Sequence, residues 1–424
     1  MEKIIISGAA KLAGEVSISG SKNSLSAILP AACLKEKDTV FTVRNVPDIT
    51  DAKCLCDLLV ETGLIVEKDE YQKTIKVYGK TENNALSEDN VKQIRASSLF
   101  LGALTAATGE AKVPFCGGDQ IGDRPLDIHI YVLEKFGVMV NVNQGIIECK
   151  AKKFPLEGRT VFLRYPSVGA TETAILLAIK AVGESYIYNA ACEPEITDMA
   201  VALNSMGASI VGAGTSVIHI KGVKAIGGLD HEIIPDRLEC ATYLLAFAVS
   251  HGTGSVKNVI PEHNMAVISL LKDIGIEIRQ HDTFIEIDAS NPNDYSLIQT
   301  EALPYPGMPT DVQPLLSALA VLCKGTSIIK DTVFTDRFQY VAEYKKMGVD
   351  ILKSYNQIYI CGPQRVQAAT VVGEDIRTTT CLALAALSAP GKTTIYGYEH
   401  IRRGYEKFAE KMNSLGADII GEKH

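Results

Sequence analysis

The sequence predicts a mixed α/β protein of two domains, built from six repeated helix-and-strand units. Three observations predict it. First, a helical stretch ending in a bulky residue or threonine plus glycine recurs at Gly63, Gly137, Gly207, Gly275, Gly348 and Gly416, spaced 68 to 74 residues apart. Second, each such glycine is followed by a β-like run, in most copies with a polar turn and a second strand, as at Val138–Val142 with Ile146–Ala151. Third, a polar or charged residue opens an apolar, alanine-rich helix once in each unit. Copies of about 70 residues are too long for a solenoid and large enough to be subdomains.

The glycines come first in the argument. Glycine just past a helix end takes the left-handed conformation that closes the last turn. The second element opens at Ser21-Lys22-Asn23, Arg95-Ala96-Ser97, Ser167-Val168-Gly169, Pro235-Asp236-Arg237, Pro309-Thr310-Asp311 and Asp375-Ile376-Arg377. Stretches such as Ala170–Ala181 and Leu238–Val249 are apolar on most faces, which predicts buried helices. Their N-termini carry unpaired N–H groups and a partial positive charge, suited to anions.

The last unit stops after Asp418-Ile419-Ile420, and the chain start, Lys3–Ser7 and Glu15–Ser19, is expected to supply the missing strands. The glycine-rich segment Lys221–Pro235 is the best boundary, with a second crossing near Gly20. The expected domains are 21–234, carrying a catalytic loop at 113–125, and 1–20 plus 235–424.

Composition narrows the function. With 424 residues, more than one domain is expected. A net charge of −8 argues against general nucleic-acid binding. The apolar run at Ala96–Ala107 is too short to span a bilayer, and the N-terminus has no long apolar h-region, so a cytoplasmic protein without membrane contact is expected. Ten scattered cysteines with no CxxC pair suit free, mostly buried thiols. No spacing supports a metal site, and neither a P-loop nor a GxGxxG after a strand is present, so neither metal nor cofactor is expected.

Cations recur at or near the helix openings and in the preceding loops: Lys22, Arg95, Arg124, Arg237, Arg337, Arg377 and Arg403. In an acidic protein this pattern points to a phosphate- or carboxylate-rich substrate. The polar, glycine-rich run Cys116 to His129 reads as a loop entering a helix, with Asp123 as its cap and Pro125 in its first turn. Asp311 is either the N-cap of the helix that it opens or a carboxylate beside a substrate hydroxyl. Asp51 and Asp375 carry the same alternatives. Glu193, Glu195 and Glu239 read as structural, and His129 as a residue behind the site.

Taken together, these segments resemble the enolpyruvyl transferases along essentially the whole chain. The carriers are Ser19–Asn23, Arg95-Ala96-Ser97, Gly117–Pro125, Ser167–Glu172, Glu193-Pro194-Glu195, Pro235-Asp236-Arg237, Pro309-Thr310-Asp311, Asp336-Arg337-Phe338 and Arg403–Glu406. The resemblance is closest to the branch acting on UDP-N-acetylglucosamine; the branch acting on shikimate 3-phosphate matches less well around 117–129. It implies a two-domain inside-out α/β barrel with three-fold pseudo-symmetry in each domain. It also implies transfer of the enolpyruvyl group of phosphoenolpyruvate to the 3'-hydroxyl of UDP-N-acetylglucosamine, feeding peptidoglycan synthesis, by addition and elimination through a tetrahedral intermediate.

Carried over by position, Lys22, Arg124 and Arg403 would hold the phosphate of phosphoenolpyruvate, and Arg337 and Arg377 its carboxylate. Asn23, Arg95, Pro125, Leu126, Asp127, Ile128, Ser167, Val168, Gly169 and Val333 would line the substrate site. Asp311 would accept or orient the proton of the attacking hydroxyl. Lys22, Asp119, Asp311 and Arg403 are the expected catalytic residues.

The chain departs from the family pattern at Asp119, where a cysteine is common; Cys116 lies earlier and does not match that position. Both side chains donate protons, but their reference pKa values are about 8.5 and about 3.9. Half protonation of an aspartate at pH 7 needs a rise of about 3 units, on the order of 4 kcal/mol. Asp119 is expected to be the general acid at the methylene carbon. Fosfomycin alkylates the loop cysteine of this family, so the aspartate implies resistance. Cys192, where an arginine is common, and Arg402, where an acid is common, are further departures. A paralogue serving another nucleotide sugar, or a binding paralogue without turnover, stays open on the sequence.

Overall fold

The computed structural model describes residues 1–119, 125–291 and 295–422. Among these, the chain forms two compact units, one of residues 20–118 and 125–234 and one of residues 1–19, 119, 235–291 and 295–422. The chain passes between them at Ser19–Gly20 and at Ile234–Pro235. Asp119, expected in the first domain with its loop, groups with the second unit, where its carboxylate is bonded to Arg403.

The described residues hold six sheets, three per unit, and five of them have four strands in one recurring order. The sheet of Ser209–Val211, Val217–Lys221, Glu184–Tyr188 and Thr160–Phe162 shows the rule. Its first three strands are antiparallel neighbours, and Thr160–Phe162 joins Glu184–Tyr188 in parallel. A parallel pair needs a crossover. The alanine-rich helix Val168–Ala178 is that crossover, lying between the two strands in the chain. The second helix, Pro194–Ser205, leads into the antiparallel pair through Gly207. All six repeat glycines have positive φ, from 75° to 101°, as the left-handed cap requires.

Three of the six repeats close across distant parts of the chain. Lys3–Ser7 lies between Lys392–Tyr396 and Asp418–Glu422, antiparallel to both, so the chain start completes the last unit. The second early strand runs Ala13–Ser17, two residues before the expected Glu15–Ser19, and it enters a different sheet, parallel to Thr253–Lys257. Within the segment read as a boundary, Leu229–Glu232 pairs in parallel with Phe41–Arg44 and completes the first repeat's sheet. In the sheet of Glu110–Pro114 the parallel strand shrinks to a single bridge, Ala85 to Lys112, leaving three strands.

Each unit keeps its helices inside and its sheets outside, the inside-out arrangement. In the first unit, Leu29–Leu34, Leu99–Thr108 and Val168–Ala178 pack together in one apolar core. In the second, Arg237–Val249, Gln313–Ala320 and Ile376–Ser388 do the same. All 13 residues of Arg237–Val249 are buried, so its composition follows from having no solvent face. The strands alternate instead: Ser185 and Ile187 point inward while Glu184 and Tyr188 face solvent. Close helix approach needs small residues, and a Cβ on Gly102 would already stand 3.1 Å from Thr173. Among the described residues no helix is long and apolar enough to cross a membrane.

Candidate active site

In the first unit, the predicted residues sit at the openings of the core helices. Ser21 caps the helix Lys22–Ile28 by accepting from the Ser24 amide at 3.2 Å. Lys22 and Asn23 therefore occupy its first turn, and the Lys22 ammonium is held by Asp51 at 3.1 Å. Asp51 itself lies in the first turn of Thr50–Glu61, where the cap position belongs to Ile49. Arg95 begins a short 3-10 turn ahead of Leu99–Thr108. Its guanidinium reaches the Cys116 sulfur at 3.1 Å and the Pro125 carbonyl at 3.4 Å.

The base of the glycine-rich loop packs against the same turn. A Cβ on Gly117 would run into the Lys92 carbonyl, and one on Gly118, at φ 107°, would stand 3.1 Å from the Arg95 Cβ. Beyond the loop the helix is Asp127–Lys135 with Leu126 as its cap residue, so Pro125 precedes the helix and is not in its first turn. The steric reason for a proline there holds one residue further out, where its fixed φ costs the helix no hydrogen bond. Asp127 ion-pairs with Arg164, and its carboxylate also accepts from the Ile128 amide at 2.9 Å. Ser167 caps Val168–Ala178 through the Ala170 amide. Gly169 follows in its first turn, against the buried His129 ring; a Cβ there would stand 2.8 Å from the imidazole. His129 is fixed by Thr173 at 2.9 Å. Asp123 and Arg124, expected as cap and phosphate ligand, lie outside the described residues.

In the second unit the acids and arginines pair. Asp311 is not an N-cap. The helix runs Gln313–Ala320 with Val312 at the cap position, and Asp311 accepts from Arg337 Nη2 at 2.8 Å and Arg377 Nε at 3.1 Å. Partial burial works to raise the Asp311 carboxyl, but the charges of Arg337 and Arg377 outweigh it and hold the group well below the usual carboxylate range. Asp375, by contrast, is a cap, accepting from the amides of Arg377 and Thr378 at 2.8 and 3.0 Å.

Both arginines are buried and tied down on their far sides. Arg377 Nη1 donates to the Tyr405 hydroxyl at 2.5 Å, and Tyr405 meets Thr242 at 2.8 Å. Arg337 Nη1 donates to Thr310 at 3.2 Å, and Thr310 donates to Asp331 at 2.6 Å. Asp331 also accepts from the amides of Val333 and Phe334. The Arg337 Nε is buried with no hydrogen-bond partner among the described residues. Arg403 Nη1 donates to Asp119 at 2.5 Å. Arg402 turns away to Glu2 at 2.8 Å. Thr310 carried no role in the sequence reading and Asp331 was missed; the latter's one signal is an acid at the end of the strand Gly325–Asp331, two residues before Val333. Among the described residues, no group of three or more His, Cys, Asp or Glu side chains is placed to hold a metal ion.

Comparison with known proteins decides the family. The sequence profile of EPSP synthase (3-phosphoshikimate 1-carboxyvinyltransferase) matches residues 6–412. The chain belongs to the EPSP synthase/enolpyruvyl transferase family. Within this transferase family, it is 40% identical over 415 residues to the UDP-N-acetylglucosamine 1-carboxyvinyltransferase of Fervidobacterium nodosum, covering 98% of this chain and 97% of that protein. It is 39% identical over 419 residues to the protein of the same name from Halothermothrix orenii, covering 99% of each. It is 38% identical over 423 residues to UDP-N-acetylglucosamine 1-carboxyvinyltransferase 2 of Bacillus cereus, covering 100% of this chain and 97% of that protein.

Two solved structures share the fold. The enolpyruvyl transferase NikO from Streptomyces tendae superposes with a TM-score of 0.90 at 24% identity, covering 100% of this chain and 99% of that one. An EPSP synthase from Acinetobacter baumannii superposes with a TM-score of 0.75 at 18% identity, covering 100% of both. The two-domain inside-out α/β architecture is thus the one this family uses.

Proposed function

We propose that the protein transfers the enolpyruvyl group of phosphoenolpyruvate to the 3'-hydroxyl of UDP-N-acetylglucosamine, releasing phosphate, in the cytoplasmic stage of peptidoglycan synthesis. The observation that carries the reading is the near full-length identity of 38 to 40% to relatives bearing that name. The geometry is compatible with it. Two buried arginines converge on Asp311, and one of them keeps a buried donor without a partner, as suits an anionic substrate.

In this reading the 3'-oxygen attacks C2 of phosphoenolpyruvate while C3 takes a proton, giving a tetrahedral intermediate. Loss of a proton from C3 then expels phosphate and restores the double bond. Asp311, kept anionic by its two arginines, is a weak base and a good acceptor, so it orients the attacking hydroxyl rather than holding its proton. Arg337 and Arg377 hold the substrate carboxylate; Lys22, Arg124 and Arg403 hold the phosphate. Asn23, Arg95, Pro125, Leu126, Asp127, Ile128, Ser167, Val168, Gly169 and Val333 line the acceptor site.

Asp119 is the proposed proton donor to C3. Its carboxylate is bonded to Arg403, whose positive charge lies beside it. Phosphate competes for the same guanidinium, and once Arg403 is engaged, the charge beside Asp119 is offset. The substrate would thereby prepare its own acid.

The test is phosphate release from phosphoenolpyruvate with a panel of UDP-sugars. Turnover with UDP-N-acetylglucosamine is expected. Turnover with a different sugar only would assign another acceptor, and binding of both substrates without phosphate release would assign a binding role.

A further inference from the structure

Thr310 and Asp331 belong to a chain of hydrogen bonds whose direction is set by its ends. The Arg337 guanidinium can only donate, so at Thr310 the hydroxyl oxygen accepts, at 3.2 Å. The Thr310 proton then goes to Asp331 Oδ2 at 2.6 Å. The other oxygen, Oδ1, takes the amides of Val333 at 2.9 Å and Phe334 at 2.8 Å. Asp331 is fully buried, and its own backbone is held by Asn356 on both sides, amide to carbonyl and carbonyl to side-chain amide, each at 2.9 Å. One carboxylate thus grips, with one oxygen, the hydroxyl that holds Arg337 and, with the other, the turn that presents Val333.

We propose that Asp331 is a positioning residue that couples the arginine holding the substrate carboxylate to the backbone lining the acceptor site. The inference rests on the assignment of Arg337 and Val333 made under Proposed function. A carboxylate suits the post because every neighbour donates to it. An asparagine would turn one of its two acceptors into a donor, facing either the Thr310 hydroxyl or the two amides. The whole post therefore depends on charge and acceptor count, while its volume is unchanged in that variant.

Two variants separate the arms of the coupling. Thr310→Val removes the hydroxyl relay and leaves the Asp331–Val333–Phe334 turn intact. It is expected to raise KM for phosphoenolpyruvate about tenfold, the loss of one hydrogen bond to a charged group, with KM for the nucleotide sugar unchanged. Asp331→Asn is expected to raise both KM values by about tenfold or more, since it disturbs both arms. Thermal unfolding and circular dichroism are run beside the kinetics. Raised KM values in variants that melt near the wild type support the proposal. Unchanged KM values in folded, active Asp331→Asn overturn it, as does an equal rise in both KM values in Thr310→Val. If Asp331→Asn does not fold, Thr310→Val still decides whether the relay to Arg337 matters. Absence of turnover in the wild-type protein, with no KM to compare, overturns the assignment beneath the proposal, and the proposal falls with it.

Discussion

Asp311 stands between Arg337 and Arg377, and each of the three depends on the others. The arginines are 3% and 7% exposed and would be costly to bury without an anion beside them. Because the folded pKa of Asp311 is depressed, the stability from this cluster is present above the unfolded carboxylate value, about 3.9, and is lost only as pH falls below it. Asp311 therefore adds no inflection to the neutral range of the pH–rate profile. Asp311→Asn is expected to lower kcat by about 10²-fold, the cost of a misplaced attacking hydroxyl, read in a phosphate-release assay. Asp119→Asn removes the proposed acid and is expected to cost a similar 10²-fold or more; near-normal turnover would sink that role. Asp119→Cys is the informative partner. It is expected to keep activity and to gain time-dependent inactivation by fosfomycin with an adduct on the new thiol, whereas the natural protein, whose carboxylate is a poor nucleophile, is expected to resist.

Each unit repeats one device, a buried crossover helix and a second helix closed by a left-handed glycine. Gly137 isolates the conformational part of that device, since a Cβ there meets nothing within 4 Å and its φ is 81°. Gly137→Ala is expected to cost about 1 kcal/mol in urea unfolding, from backbone strain with no clash. Buried acids make the opposite case. Glu172 lies inside the helix Val168–Ala178, and burial, followed by the charges of Glu195 and Glu193, pushes its carboxyl up to about 8. A raised folded pKa gives stability that is full below the unfolded value, about 4.3, and is lost as pH rises to about 8. Glu172→Gln mimics the neutral form and is expected to flatten this loss: the melting temperature of the variant should fall less than that of the wild type between pH 6 and pH 9.

The whole chain is closed by its own beginning. Lys3–Ser7 is an interior strand, and Ile4 and Ile6 are fully buried in the core of the second unit. Removing residues 1–8 would strip two side chains worth about 1.5–3 kcal/mol each and open two sheet edges, so a fall in melting temperature on the order of 10 °C is expected, measured by circular dichroism. The opposite end of the same logic is Leu229–Glu232, which returns to pair with Phe41–Arg44. Composition marks that segment as a glycine-rich connection, because a short edge strand needs only one buried face and leaves little periodic signal.

The six-fold plan is legible in the sequence, because the recurring glycines and helices apolar on most faces are local signatures that packing only confirms. The sequence also marked the cations, since charge beside a helix opening in an acidic chain is legible without coordinates. Which acid faces which arginine is fixed by packing alone. Asp311 reads equally well as a cap or as a site residue until Arg337 and Arg377, 26 and 66 positions away, are brought to it. For Asp331 the reason holds on one side: Val333 and Phe334 follow it closely in the chain, but Thr310, 21 positions away, is brought to it only in the folded unit. Pairing of charges is a matter of distance, and the distance between residues remote in the chain is fixed by packing.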